Sequence, residues 1–375
     1  MSRGRVIVAM SGGVDSSVAA LLLKKQGYEV IGITMRLWTV EKNDIPSISK
    51  RCCSVEDISD ARQVCQTIGA PHYVQNFEKE FQEHVVKYFV QEYDRGRTPH
   101  PCLACNDKIK FDFLLRRAMF LDADYIATGH YSRIQKTRDG FHLLKGVDTK
   151  KDQSYVLFTL NQKELSRLLL PVGEYPKDEI RKMASDAGLP VADKPDSQEI
   201  CFIPDGNYRK FLEGQTIPKA GDFVDIEGVV IGRHPGTQFF TIGQRRNLGL
   251  QGKNGSPHYV IDIDPESNQV TLGPEKALNR KRLWVSRLNF VSEDIPTQPV
   301  SFNAKIRYKA SEAKATLYVT GDGGEVHFEE PQRAITPGQA IVFYKDDRVI
   351  GGGYIEVKPP YEITSNTSSL TGTTV

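Results

Sequence analysis

The string Ser11-Gly-Gly-Val-Asp-Ser-Ser17 constrains this chain more than any other feature. It follows a short apolar run, Val6-Ile-Val-Ala-Met10, that reads as a buried strand. It precedes apolar positions at helical spacing (Val14, Val18, Leu21 and Leu22), with Gly27 placed as the C-terminal stop. Two glycines let the backbone come close to an anion, while three serine hydroxyls and the amides of a helix start supply donors. No Lys follows in a Gly-Lys-Ser/Thr arrangement, so this is not the phosphate loop of the common ATPases and GTPases. Asp15 suits holding Mg²⁺ against phosphates. An ordinary helix-capping turn would use the same residue types, with Asp15 as first-turn acid. The complete string directly after a strand favours phosphate binding.

The surroundings of the loop point to an α/β fold with a doubly wound parallel sheet. Val30 to Trp38 reads as a second strand, Val55 to Ile68 as a helix ending at Gly69, and Tyr73-Val74 as the start of another extended piece. Phe111 to Phe120 has a helical pattern, Ala123 to Gly129 ends a further strand, and Lys177 to Ala187 is a helix closed by Gly188 and Pro190. Such alternation implies a parallel sheet covered on both faces. After Pro204 the pattern turns to short β runs, first Gln238 to Ile242 and Tyr259 to Ile263. Ser301 to Tyr308, Ala313 to Val319, Ala340 to Tyr344 and Gly353 to Val357 follow. The expected organisation is a catalytic domain over 1–205, a small central β-rich domain over 206–275 and a C-terminal β-barrel over 276–360. The Ser- and Thr-rich residues 361–375 read as a disordered tail.

Composition limits the setting. The 375 residues carry 49 Lys and Arg against 47 Asp and Glu, which excludes a supercharged nucleic-acid coat. The longest apolar run, Val18 to Leu23, is far below the roughly 20 residues of a bilayer helix, so no membrane partner is expected. The N-terminal run Val6 to Met10 is shorter than a signal-peptide core. Six cysteines are too sparse for a disulfide scaffold, and a reducing cytoplasm is the expected compartment.

The cysteines therefore raise a chemical question. Cys102-Leu-Ala-Cys105 follows Thr98-Pro-His-Pro101, whose prolines stiffen an extended approach, and a helix is expected from Asn106 or Asp107. Cys105 would then stand at a helix N-terminus near Lys108 and Lys110, both of which favour thiolate. Cys201 lies far away in Lys194-Pro-Asp-Ser-Gln-Glu-Ile-Cys-Phe-Ile-Pro204. Cys52, Cys53 and Cys65 show no partner pattern and read as structural. No second Cys-x-x-Cys or His pair completes a closed zinc site.

The loop resembles the pyrophosphate loop of the N-type ATP pyrophosphatases, and the whole set of motifs resembles the tRNA-specific 2-thiouridylase family. The resemblance spans about residues 5 to 357. Besides Ser11 to Ser17 it rests on Cys105-Asn-Asp-Lys-Ile-Lys-Phe111, Ala127-Thr-Gly-His-Tyr131 and Lys151-Asp-Gln-Ser-Tyr155. Asp196-Ser-Gln-Glu-Ile-Cys-Phe202, Thr241-Ile-Gly-Gln-Arg-Arg246 and Ala334-Ile-Thr-Pro-Gly-Gln-Ala340 complete it. It implies ATP-dependent adenylation of the C2 oxygen of the wobble uridine of tRNA, then displacement of AMP by sulfur. Ala9, Met10, Ser11, Gly12, Gly13, Val14, Asp15, Ser16, Ser17, Met35 and Gly129 are implied as the nucleotide pocket, with Mg²⁺ through Asp15.

Two sulfur routes are open under this resemblance. In one, Cys201 carries a persulfide and Cys105 assists as nucleophile or by forming a disulfide. In the other, Cys102, Cys105 and Cys201 ligate a [4Fe–4S] or smaller cluster with an open iron. Cys102, where some family members have Asp, fits the cluster better. Implied tRNA contacts are His100, Pro101 and Cys102, His130, Lys151, Asp152 and Gln153, Arg307 and Tyr308, and Gln339, and an unidentified protein supplies sulfur. His100 or Tyr131 could stack on a base, although a lone His or Tyr is more often a surface or core filler; Arg307 and Lys309 suit a solvated basic strand face, which an edge without RNA would also show. Residues 276–320 hold nine Lys and Arg against three acids, a basic domain suited to RNA. Competing readings are another ATP pyrophosphatase, such as an amidotransferase-type synthetase or a tRNA lysidine synthetase, and a non-catalytic sulfur carrier or RNA-binding protein.

Overall fold

The computed structural model describes residues 2–38, 55–196, 200–203, 206–249, 258–321 and 323–357. Cys52, Cys53, Ser197, Gln198, Glu199 and the expected tail at 361–375 lie outside the described residues.

The first strand β1 (Arg5–Ala9) feeds the phosphate loop and helix α1 (Val14–Lys25); β2 (Glu29–Arg36), α2 (Val55–Thr67) and β3 (His72–Asn76) follow. Strand β4 (Tyr125–Ala127) comes after a long helical stretch. Strands β5 (Ser132–Thr137) and β6 (Gly140–Lys145) form a hairpin outside the first sheet, and β7 (Leu168–Leu169) returns to it. The sheet order is β3-β2-β1-β4-β7, and every pair is parallel. Alternate residues serve opposite faces: Ile7, Ile33 and Ile126 enter one core, while Val6, Val8, Val30 and Ala127 enter the other. β1 has β2 on one side and β4 on the other, so the strand order reverses there. A crevice for ligands opens at the carboxyl ends of such strands.

The second unit is a four-stranded sheet of β8 (Gly221–Val224), β9 (Val230–His234), β10 (Tyr259–Asp264) and β11 (Gln269–Gly273), in the order β10-β11-β8-β9. The strand expected over Gln238 to Ile242 is instead a tight turn over Thr237–Phe239. Phe239 and Phe240 are both buried. Adjacent strand residues point to opposite faces, so a turn is what lets both rings reach one core.

The third unit is a closed barrel of β12 (Asn279–Phe290), β13 (Val300–Lys305), β14 (Ala313–Thr320), β15 (Gly323–Arg333), β16 (Ala340–Lys345) and β17 (Arg348–Glu356). Pairing of β12 with β17 completes the ring. Inside it Phe302 stacks on Phe343 with centroids 4.2 Å apart, among Leu283, Val285, Leu317, Val326 and Ile355. β17 also pairs with β6 through Arg348 and Leu144, so the hairpin of the first unit continues the barrel sheet. Among the described residues no helix is long and apolar enough to cross a membrane.

Candidate functional site

The phosphate loop takes its shape from contacts on three sides. Gly12 has φ +72°, and a Cβ there would overlap the Asp57 carbonyl oxygen of α2. Gly129, just after β4, presses on the loop from the other side, where a Cβ would come within 2.6 Å of the Ser16 amide. Ala9, Met10 and Met35 are buried beneath, at the carboxyl ends of β1 and β2.

The serine hydroxyls do not all face outward as expected. Ser17 Oγ donates to the Gly13 carbonyl at 2.8 Å and Ser16 Oγ does so at 3.2 Å, while the Ser11 amide donates to Ser16 Oγ at 3.2 Å. Ser16 and Ser17 are buried and Ser11 is exposed. The loop therefore offers an anion the first-turn amides of α1 and the Ser11 side chain, and the other hydroxyls hold its backbone curve.

Asp15 is paired with a residue that no motif marked. The Lys177 ammonium, at the start of the helix Lys177–Asp186, donates to Asp15 Oδ1 at 2.6 Å and lies 2.9 Å from Asp196 Oδ1. Tyr131 OH also donates to Asp15 Oδ1 at 2.6 Å. Asp196 further accepts from Lys151 at 2.7 Å and from Arg181 at 2.8 Å. Burial opposes its charge, but the hydrogen bonds from Lys151 and Lys177 prevail and its pKa falls to about 2. Two residues earlier, Lys194 donates to the Gly12 carbonyl at 2.9 Å and to Asp57 and Asp60 at 2.6 Å each. Lys194 and Asp196 belong to the string that leads to Cys201, so that segment is tied to the phosphate loop at two points. Their place in the string was the available signal; Lys177 and Arg181 had none.

The cysteine helix begins earlier than expected. Pro101 occupies its first position, and the helical stretch runs through Pro101–Ala104 and Cys105–Leu114 to Leu115–Phe120. Cys102, which is exposed, is thus the cysteine at the N-terminus, and the buried Cys105 lies one turn further on. The macrodipole argument for Cys105 fails for that reason. Its lysines are engaged elsewhere: Lys110 donates to Asn106 Oδ1 at 2.9 Å, and Lys108 pairs with Asp107 at 3.1 Å. Cys201 is half-buried against the main core. Cys65 is fully buried under Gly32, and burial pushes its thiol up to about 11, in keeping with a structural role.

The proposed RNA-facing residues divide into two kinds. His100 is half-buried beside Tyr155 and Tyr308, with ring centroids 6.0 and 6.4 Å away, and burial holds its imidazole down to about 4. Tyr308, half-buried and pushed up to about 12 by burial with Asp152 and Cys102 nearby, completes this aromatic group, its ring centroid 6.0 Å from that of Tyr155. Lys151 points to Asp196, as above. Asp152 and Gln153 brace the loop instead: Asp152 accepts from the amides of Gly146 and Ser154 at 3.1 Å each, and Gln153 accepts from the Tyr131 amide at 3.0 Å. His130 is buried, bonded through Nδ1 to Thr128 at 2.7 Å, and burial with nearby Lys110 keeps it neutral. Tyr131 is buried with its hydroxyl on Asp15, so it is not an exposed stacking platform. The strand expected to present Arg307 ends at Lys305; Arg307 is half-buried and donates to the Ala334 carbonyl and to Thr336 Oγ1. Gln339 donates to the Thr98 carbonyl at 2.8 Å.

The residues do not form a cluster cradle. Among the described residues no group of three or more His, Cys, Asp or Glu side chains is gathered closely enough to hold a metal ion. Cys102, Cys105 and Cys201 are all described, so the expected three-thiolate site for a [4Fe–4S] group is not assembled here. Among the described residues Asp15 is likewise in no such group, and its Oδ1 is taken up by Lys177 and Tyr131.

Comparison with known proteins agrees with this three-part layout. Residues 4–205 match the model of a tRNA methyl transferase HUP domain, 209–274 that of a tRNA methyl transferase PRC-barrel domain, and 280–355 that of an aminomethyltransferase β-barrel domain. The chain is 50% identical over 362 residues to a tRNA-specific 2-thiouridylase of Carboxydothermus hydrogenoformans, covering 95% of this chain and 98% of the relative. It is 48% identical over 359 residues to one of Clostridium perfringens, covering 95% and 99%. It is 49% identical over 364 residues to one of Geobacter metallireducens, covering 95% and 97%.

Proposed function

This chain belongs to the tRNA-specific 2-thiouridylase family, and from that premise we infer that it is a tRNA-uridine 2-sulfurtransferase acting on the wobble uridine. The observation that carries the reading is the double tie between the phosphate loop and the segment of Cys201. Lys194 reaches the Gly12 carbonyl, and Lys177 bridges Asp15 and Asp196. A nucleotide-activating loop thus shares one charged frame with Lys194 and Asp196, which precede Cys201 in sequence.

The chemistry proceeds in two displacements. Uracil O2 attacks the α-phosphorus of MgATP, and pyrophosphate leaves into the α1 amides, with Lys177 supplying positive charge beside Asp15. The poor leaving oxygen becomes part of AMP. The terminal sulfur of a persulfide on Cys201 then attacks C2 and AMP departs. The Cys105 thiolate attacks the Cys201 sulfur, breaks the S–S bond and leaves the sulfur on the base. The resulting Cys105–Cys201 disulfide is reduced to two thiols by two equivalents of an external thiol, which leave as their own disulfide, and a separate donor protein reloads Cys201. His100, Pro101 and Cys102, with Tyr308 beside the His100 ring, form the pocket mouth for the splayed base. Lys151, Arg307 and Gln339 are engaged at Asp196, at Ala334 and Thr336, and at Thr98, so they shape the site from within, and His130, Asp152 and Gln153 hold the walls. A cytoplasmic setting goes with this substrate.

A labelled-sulfur assay with purified tRNA, ATP and a persulfide donor tests the reading. AMP formation that requires tRNA, with 2-thiouridine found by mass spectrometry, is the expected result. AMP without thiolated base, or thiolation without ATP, would overturn it.

A further inference from the structure

Residues 96–98 touch all three units at once. Arg97 follows the helix Lys87–Asp94, and its side chain is 13% exposed. Its Nε donates to Glu92 of that helix at 2.6 Å. Its Nη1 and Nη2 both donate to Glu356, the last residue of β17, the second at 3.1 Å. Ser286 of β12 donates to the same carboxylate. Beside it, the Thr98 amide donates to the Pro337 carbonyl at 2.8 Å, and the Thr98 carbonyl accepts from Gln339 at 2.8 Å. The Thr98 hydroxyl donates to Thr241 Oγ1 of the second unit at 3.1 Å.

The backbone is fitted closely at this junction. Gly96 has φ +68°, and a Cβ there would stand 2.8 Å from Pro265. Gly338 has φ +87°, and a Cβ there would stand 3.0 Å from the Thr98 amide. Pro99 and Pro101 follow, each with φ locked by its ring, and Pro101 opens the helix that carries Cys102 and Cys105. Little rotational freedom therefore separates the clamp from the cysteines.

We propose that Arg97 and Thr98 are positioning residues through which the C-terminal barrel and the middle unit set the placement of the Cys102–Cys105 turn. A buried ion pair is poor evidence of added stability, since apolar residues of equal volume often serve as well. Its use here is directional. A guanidinium held by carboxylates from two units has one orientation, which a lysine only partly reproduces. The inference rests on the reading of Cys105 as a sulfur-transfer residue.

The test compares full-length Arg97→Met, Arg97→Lys, Glu356→Gln and Thr98→Val with the unsubstituted protein. It measures kcat and KM for tRNA thiolation, Kd for ATP, and the alkylation rate of Cys105 by peptide mass spectrometry. Arg97→Met and Glu356→Gln are expected to lower kcat at least tenfold, to shift the Cys105 alkylation rate at least threefold, and to leave the ATP Kd within twofold. Arg97→Lys recovers part of kcat. Unchanged kcat and alkylation in a folded Arg97→Met, or equal loss of ATP binding, would overturn the proposal. Should Arg97→Met fail to fold, Thr98→Val decides, because it keeps the ion pairs and removes only the Thr241 bond. A threefold loss of kcat at constant ATP Kd supports the clamp, and no change sinks it. A lack of thiolation by the unsubstituted protein defeats the functional reading instead, and the alkylation arm still tests the clamp.

Discussion

Lys177 stands between Asp15 and Asp196, 8% exposed, with the Tyr131 ring 5.6 Å from its ammonium. Removing that charge leaves two carboxylates facing one another beside a phosphate site. Lys177→Met is therefore expected to weaken ATP binding at least tenfold, as measured by calorimetry, while the protein stays folded. Cys105→Ser and Cys201→Ser are expected to abolish formation of 2-thiouridine and to keep tRNA-dependent release of pyrophosphate from ATP, which a radiolabelled nucleotide assay reads. Cys102→Ser keeps at least a third of the activity if no cluster forms, and iron-dependent activity lost in that variant would contradict the persulfide route. The histidines set a pH dependence. His100 and His130 both have folded pKa values below the unfolded value of about 6.5. The unfolded chain then binds more protons as pH falls, so stability declines from about pH 6.5 towards pH 4. Thermal melts over that range should fall less steeply for His100→Gln than for the unsubstituted protein.

At the scale of elements, local patterns were readable where one element carried its own signal. The strand, loop and α1 were legible because an apolar run, two glycines and a helical period sit within twenty residues. Gly69 and Gly188 end their helices at φ +64° and +65°, as their positions after the apolar periods implied. The start of the cysteine helix is not legible in the sequence, because Pro99 and Pro101 together have the pattern of a stiff coil. Pro101 is instead the first helical residue, where its missing amide costs nothing. Gln238 to Ile242 has a strand-like pattern yet forms a turn, because a short apolar run does not say whether neighbouring rings must share a face. Gly12 gives the sharpest test at this scale. Gly12→Ala meets both a positive φ, worth about 1–2 kcal/mol against an L residue, and the Asp57 carbonyl. A lower Tm together with at least tenfold weaker ATP binding is expected, and unchanged binding would mean that the loop is not built as described.

For the whole molecule, charge placement matters more than total charge. Lys276, Arg280, Lys281, Arg282, Arg287, Lys309 and Lys314 are exposed on or beside the barrel, whereas Lys305 and Arg307 are turned into internal contacts. Binding of tRNA should weaken linearly in log Kd against log salt, and Lys309→Glu with Lys314→Glu should lower the slope. A slope unchanged by the double substitution would place the RNA on another face. The parallel-sheet class, the loop and the order of the motifs are legible along the chain, because strand, turn and helix signals act over a few residues. Which charges meet follows from packing in three dimensions. Lys177 is 162 residues from Asp15 and Arg97 is 259 from Glu356. Pairing at such separations is set by how sheets and helices pack around a shared core, and no local pattern records it.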